Sequence, residues 1–210
     1  MPGKLRRFKN QKPFFTFHIP GERIALLFCI TLFACCAKKE PASADLFSVQ
    51  LTTVDHRNFS FQQLSDNQAS VILFIQPECP LCNSYGKTMH ALDSTYSSQK
   101  IPIYGVVAGK NYSDSEIKEF LQKHRLSFTT ILDPEFRLKN LLHARVTPQV
   151  FLIDNKGSIL YHGLIDDWAV EIGQVRAHVS YHFLADAIDA YLQNRPIAND
   201  STKAVGCYIE

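Results

Sequence analysis

In Val71-Ile72-Leu73-Phe74-Ile75-Gln76-Pro77-Glu78-Cys79-Pro80-Leu81-Cys82, five apolar residues run up to a cysteine pair. A continuous, largely β-branched run of this kind reads as a strand buried on both faces, as in the parallel part of a sheet. After Pro80, Leu81, Tyr85, Met89, Leu92 and Tyr96 recur at spacings of three and four, the pattern of a helix with one buried stripe. Cys79 falls at the junction and takes the N-cap position. Pro80 follows at the first helical position, where its missing N–H costs nothing and its φ is already set. The helix N-terminus turns unpaired N–H groups toward the Cys79 sulfur and favours thiolate over thiol. Cys79 is therefore the expected nucleophile. Cys82, on the first turn, is the expected resolving thiol that attacks a mixed disulfide at Cys79.

Other uses of the pair are weaker. Haem attachment calls for His directly after the second cysteine, where this chain has Asn83. A structural zinc site calls for a second ligand pair at similar spacing, and the sequence holds no second C-x-x-C. No metal or cofactor is therefore expected. A plain structural disulfide is the alternative, but a staple rarely sits at a helix N-terminus behind a buried strand.

On the N-terminal side, Phe47–Val54 alternates at period two, Asp55-His56-Arg57-Asn58 turns, and Phe59-Ser60-Phe61 resumes the alternation, predicting a β-hairpin. On the C-terminal side, Ile103–Val107 is another buried strand, completing a right-handed β-α-β unit. Ser113-Asp114-Ser115-Glu116 has the form of a capping box, and Ile117, Phe120, Leu121 and His124 mark one helix face. A short helix is expected after Asp133-Pro134. Val150–Ile153 and Ile159–His162 flank Asp154-Asn155-Lys156-Gly157 as a hairpin. Val179, Phe183, Ile188, Tyr191 and Leu192 predict a last helix ending before Pro196. The fold class is α/β: a mixed central sheet with helices on both faces, an N-terminal β-hairpin and a C-terminal helical extension.

The chain has 210 residues, 46% hydrophobic and 20% charged, an ordinary globular composition. Its formal charge of +2 comes from the first 34 residues, where Lys4, Arg6, Arg7, Lys9, Lys12 and Arg23 cluster. Beyond them acidic residues outnumber basic ones, so nothing points to nucleic acid. The basic stretch precedes an apolar run, Ile24–Ala34, too short to span a bilayer. Residues 1–34 read as a secretory signal peptide of lipoprotein type. Leu32-Phe33-Ala34-Cys35 resembles a lipobox, which makes Cys35 the lipidated mature N-terminus and anchors the chain to a membrane. Cleavage after Ala42-Ser43-Ala44 is the competing reading. Residues 35–46 are a tether, 47–165 the main domain and 166–210 the C-terminal extension. Export places the cysteines where disulfides persist.

Three segments carry a resemblance: Phe74–Cys82, Val146-Thr147-Pro148 continuing to Asp154, and Gly157–Gly163. Over positions 47–165 the chain resembles the thioredoxin superfamily, and within it the redoxin and peroxiredoxin-like branch of AhpC/TSA type, among exported thioredoxin-domain proteins. The resemblance implies the thioredoxin fold, a cis Pro148 lying against the active-site sulfurs, and a Thr147 backbone offered to a substrate peptide. It implies a thiol-disulfide oxidoreductase of exported cysteine-containing proteins, served by a membrane or periplasmic redox partner. The Thr or Ser and the Pro that peroxidatic cysteines carry three and seven residues upstream are Gln76 and Ile72 here, so peroxidase activity is not implied.

Cys207 is the third thiol of the folded part. It reads equally as a buried apolar side chain or as a sulfur that folds back near Cys79 and Cys82. In the second case a Cu(I)-binding assembly factor is the alternative function, with soft thiolates as ligands. A non-catalytic redoxin-like binding module is the third. His178 and His182 stand four apart on the expected last helix, without the Glu of H-E-x-x-H, and read as a solvated face.

Overall fold

The computed structural model describes residues 43–210. The signal peptide 1–34, the lipidation at Cys35 and all but the end of the tether 35–46 lie outside the described residues. The apolar run before the cysteine pair forms β3 (Ala69–Phe74), buried along its whole length. It is central in a seven-stranded sheet with β1 (Gln50–Thr53), β2 (Asn58–Ser60), β4 (Ile103–Ala108), β5 (Thr129–Asp133), β7 (Gln149–Asp154) and β8 (Ile159–Gly163), in the order β2-β1-β5-β4-β3-β7-β8. Strand β3 runs parallel to β4, pairing Val71 with Ile103 and Phe74 with Val106. On its other side β7 runs antiparallel, pairing Val71 with Leu152 and Phe74 with Gln149. The expected N-terminal hairpin is β1–β2, and it joins the sheet antiparallel to β5.

An unbroken apolar strand needs cover on both sides, and β3 has it. Val71, Leu73 and Ile75 enter one core with Met89 and Tyr96 of α3 (Gly86–Tyr96), Ile117 and Phe120 of α4 (Asp114–His124), and Leu184 and Ile188 of α6 (Phe183–Leu192). Ile72 and Phe74 enter a second core with Leu46 of α1 (Ser43–Ser48), Phe61 and Leu64 of a 3-10 turn, and Leu138 of α5 (Arg137–Leu141). Each such side chain, fully buried, contributes about 1.5–3 kcal/mol. A mixed sheet filled in this way from both faces, with a β-α-β unit followed by a hairpin, is the thioredoxin fold.

Local chemistry explains the boundaries. The helix that starts at Pro80 is two pieces, α2 (Pro80–Ser84) and α3, divided at Tyr85. The Tyr85 N–H turns back to the carbonyls of Leu81 and Asn83, while the N–H of Met89 donates to the Tyr85 carbonyl at 2.9 Å. The stripe Leu81, Tyr85, Met89 and Tyr96 therefore stays buried across the break. Gly86, just past it, lets α4 come close, since a Cβ there would lie 2.0 Å from His124 Nδ1. The capping box at α4 forms as expected: Ser113 Oγ accepts from the Glu116 N–H, and Glu116 Oε2 accepts from the Ser113 N–H at 2.7 Å. In the β7–β8 turn Asp154 Oδ1 takes the N–H groups of Lys156 and Ser158, and Gly157 supplies φ 83°.

Two expectations are corrected. The folded body does not begin at Phe47, because α1 reaches back to Ser43 and buries Leu46 completely, inside what composition marked as tether. The segment after residue 165 is only partly helical. It holds a small hairpin of β9 (Ala169–Glu171) and β10 (Gln174–Val175), the helix α6, and an extended tail ending in β11 (Cys207–Tyr208). Helix α6 starts at Phe183, not Val179. Asp167 Oδ1 takes the N–H groups of Ser180 (2.7 Å) and Tyr181 (3.1 Å) and holds that stretch out of helical geometry. His178 therefore lies outside the helix and His182 is only its N-cap, so the two share no helix face.

The Leu46→Ala variant is expected to lose about 2–5 kcal/mol, as for other fully buried leucines, read as a lower denaturant midpoint at unchanged slope. Stability equal to that of the parent chain would mean that residue 46 belongs to a tether after all.

Candidate active site

Gln76-Pro77-Glu78 follow the C-terminal end of β3, and Cys79 caps the helix that comes next. Its backbone is extended (φ −66°, ψ 118°), and Pro80 takes the first turn. Its Sγ accepts from the Cys82 N–H at 3.5 Å, so the sulfur fills the role that a Ser or Asp oxygen plays at other N-termini. Asn83 then ties the turn together. Its Nδ2 donates to the carbonyls of Pro77 (2.7 Å) and Cys79 (3.1 Å), while its Oδ1 accepts from Lys123 Nζ at 2.8 Å and meets His124 Nε2 at 3.1 Å.

Opposite this turn runs β6 (Val146–Thr147), followed by a cis Thr147–Pro148 peptide bond, as the resemblance implied. Gln149 Oε1 accepts from the N–H groups of Arg145 (2.9 Å) and Val146 (3.4 Å), and Thr147 Oγ1 donates to Gln76 Oε1 at 3.0 Å. The Thr147 carbonyl thereby faces Cys79, its oxygen 3.1 Å from the Cys79 sulfur. Both cysteines of the pair are buried, Cys79 at 3% exposure and Cys82 at 0%.

The cover over Cys79 is the chain's own C-terminus. Strand β11 pairs antiparallel with β6, Cys207 opposite Thr147 and Tyr208 opposite Val146. The Cys207 Sγ stands 2.7 Å from Cys79 Sγ, outside the about 2.05 Å of a covalent disulfide but in direct contact. The three cysteines thus meet around Cys79. Of the two readings of Cys207, the structure gives the one in which the tail folds back.

Their protonation is unequal. Hydrogen bonding from the Cys82 thiol, then from Cys207 and the Cys82 N–H, outweighs burial and brings the Cys79 thiol down to about 5. Burial, and then the neighbouring Cys79 sulfur, pushes Cys82 well up and Cys207 up to about 12. The cause differs from the sequence expectation. The helix N–H contributes, but a second thiol is the larger donor. At neutral pH the arrangement holds one thiolate, Cys79, between two thiols that can give it protons, the electronic state of a sulfur ready to attack a disulfide.

Gln76, Asn83 and Gln149 hold this geometry, and none of them is among the site residues expected from the sequence. Their signal was weak but present: Gln76 is a polar residue at the end of an apolar strand, and Asn83 is a poor helix former in the first turn. Gly206 is a fourth. A Cβ there would lie 2.2 Å from the Thr147 oxygen, so only glycine lets the tail lie flat on β6. Asp166 and Trp168 hold Tyr85: the Tyr85 hydroxyl donates to Asp166 Oδ1 at 2.6 Å, and the Trp168 ring meets the Tyr85 ring edge-on.

The AhpC/TSA family model matches residues 42–162. None of the curated proteins matches. Among solved structures, the chain is similar to a hypothetical protein from Sinorhizobium meliloti 1021, with 20% identity, a TM-score of 0.69, and 77% of this chain and 89% of that one covered. It is also similar to an uncharacterized conserved protein from Geobacillus kaustophilus, at 22% identity and TM-score 0.67 over 77% and 87%. A third is MTB DsbF in its mixed oxidized and reduced forms, at 18% identity and TM-score 0.54 over 72% and 98%. These likenesses are of fold.

In the reduced protein the thiolate ultraviolet absorbance is expected to titrate with a midpoint near pH 5. Because the folded value lies below the ordinary one, the stability this group lends is complete above the usual cysteine range. It is lost as the pH falls through about 5. Cys82→Ala removes the largest stabilising hydrogen bond and raises the midpoint. An unmoved midpoint would show that the Cys82 thiol is not the main cause.

Proposed function

This chain belongs to the AhpC/TSA family, whose model takes in more than half of it, and on that premise we propose that it is an extracytoplasmic thiol-disulfide oxidoreductase acting on cysteine-containing proteins through Cys79 and Cys82. The observation that carries the reading is the unequal pair: an acidic Cys79 capping a helix, with a fully buried, protonated Cys82 behind it. The Cys79 thiolate attacks one sulfur of a substrate disulfide, and the other sulfur leaves as thiolate. Cys82 then gives up its proton and attacks Cys79 Sγ, the mixed disulfide breaks, and the second substrate thiolate departs. Two electrons pass to the substrate, and the Cys79–Cys82 disulfide waits for an exported or membrane redox partner. The same steps run backwards when the substrate is a dithiol. Lowering the Cys79 value stabilises the reduced pair and shifts the balance toward oxidising others.

The site of action rests on reading residues 1–34 as a signal peptide and Leu32–Cys35 as a lipobox, a reading that puts the body outside the cytoplasm and tethers it at Cys35. Among the described residues no helix is long and apolar enough to cross a membrane. The departures from the peroxidase pattern at Ile72 and Gln76 support a protein disulfide over a peroxide as substrate. A copper role needs several sulfurs turned on one ion. Among the described residues no group of three or more His, Cys, Asp or Glu is placed to hold a metal.

Reduction of a protein disulfide such as that of insulin, driven by a dithiol, is the test. Turnover is expected in the parent chain and absent in Cys79→Ser. In Cys82→Ser a mixed disulfide between Cys79 and the substrate should accumulate, because the resolving sulfur is gone. Equal turnover in Cys79→Ser and the parent would overturn the reading.

A further inference from the structure

We propose that Cys207 is a third catalytic cysteine, carried on a C-terminal strap that serves as an internal substrate: it exchanges with the Cys79–Cys82 disulfide and closes the site to other chains until it is displaced. The inference rests on the oxidoreductase reading above and adds the regulation of the same site.

The strap is fastened on both sides of the sulfur. Upstream, the His162 N–H donates to the Asp200 carbonyl (3.1 Å), the Thr202 N–H to the His162 carbonyl (3.0 Å), and the Leu164 N–H to Thr202 Oγ1 (2.8 Å). Gly163, at φ 135°, makes room for this contact, since a Cβ there would lie 2.2 Å from Thr202 Oγ1. Downstream, the Ile209 N–H donates to the Arg145 carbonyl at 3.0 Å, its side chain is buried in the second core, and Asn111 Nδ2 donates to the Glu210 carbonyl at 3.3 Å. Between these anchors the two residue pairs of β11 hold the chain on β6. Gly206 and Cys207 are thus laid by backbone geometry onto Thr147, whose carbonyl also faces Cys79. A packing cysteine needs none of this registration.

The exchange is balanced without an external oxidant. Starting from the oxidised pair, Cys207 loses its proton and attacks Cys79 Sγ; the Cys79–Cys82 bond breaks and its electron pair goes to Cys82 Sγ, which takes up a proton. One disulfide is broken and one is formed, and no electrons enter or leave. Cys79 is the shared sulfur because it is the one that Cys207 touches, at 2.7 Å. With the strap paired, the Thr147 backbone is already taken and Cys79 is covered, so an incoming peptide has to lift Cys207 and Tyr208 first.

The test is disulfide mapping by mass spectrometry after the full-length chain is equilibrated with oxidised glutathione, acid-quenched and alkylated. In Cys82→Ser the principal product is expected to be an intrachain Cys79–Cys207 disulfide; in Cys207→Ser it is Cys79–Cys82. If Cys82→Ser gives Cys79 bound to glutathione with Cys207 still open to alkylation, the relay is wrong. The parent chain separates the two claims. A Cys79–Cys82 disulfide formed there while Cys82→Ser gives no Cys79–Cys207 sinks the relay alone, whereas no Cys79–Cys82 disulfide at all sinks the oxidoreductase reading. For closure, Gly206→Ala places a Cβ against Thr147 and should raise the maleimide reactivity of Cys79 about tenfold, as exposure of a thiolate does. Cys207→Ser, nearly isosteric, keeps the strap and should leave the site covered. An unchanged rate in a folded Gly206→Ala chain would show that the strap is no barrier.

Discussion

The sulfur of Cys79 is both a helix cap and a reactant, and these two demands constrain what surrounds it. As a cap it has to accept from the Cys82 N–H, which fixes the backbone at an extended N-cap and calls for Pro80 after it. As a reactant it has to stay unprotonated, which needs donors around it and a buried partner that keeps its own proton. Strand β3 meets both demands by being buried on two faces and ending at that point. Gln76 holds Thr147 across from it, and Asn83 fixes the turn behind it.

The same sulfur explains why the chain continues past its last helix. After α6 the tail crosses back over the sheet, pinned at Thr202 and Ile209, and sets a third thiol in contact with the first. Two alternative partners then compete for one central atom. The competition depends on short β pairing and on the unequal protonation of the three thiols, and both are weak enough to be shifted by a substrate or by redox state.

Strands β1 to β4, β7 and β8, the helix of the β-α-β unit and the Cys79/Cys82 pair were legible in the sequence because each left a local trace: an apolar run, a three-and-four spacing, a proline at a helix start; β5, the short Thr129–Asp133, was not. The capping box and the Asp154–Gly157 turn were legible for the same reason. The start of the folded body was not, because Leu46 is one apolar residue among small and charged ones, and only tertiary packing makes it core. The stretch around Val179 reads as helix because its apolar spacing is right, but the Asp167 carboxylate competes for the backbone from thirteen and fourteen residues away. The meeting of Cys207 with Cys79 depends on a pairing across the whole domain. Its one local trace was Gly206 beside a cysteine.

The reduction potential of the Cys79/Cys82 couple tests the account most directly. It can be read from the alkylated fraction of those two residues across a series of glutathione buffers, in the Cys207→Ser chain so that a single couple is followed. A Cys79 more acidic than the thioredoxin nucleophile predicts a potential above about −270 mV and toward the about −120 mV of strong disulfide oxidants. A value below about −300 mV, where structural disulfides lie, would contradict it.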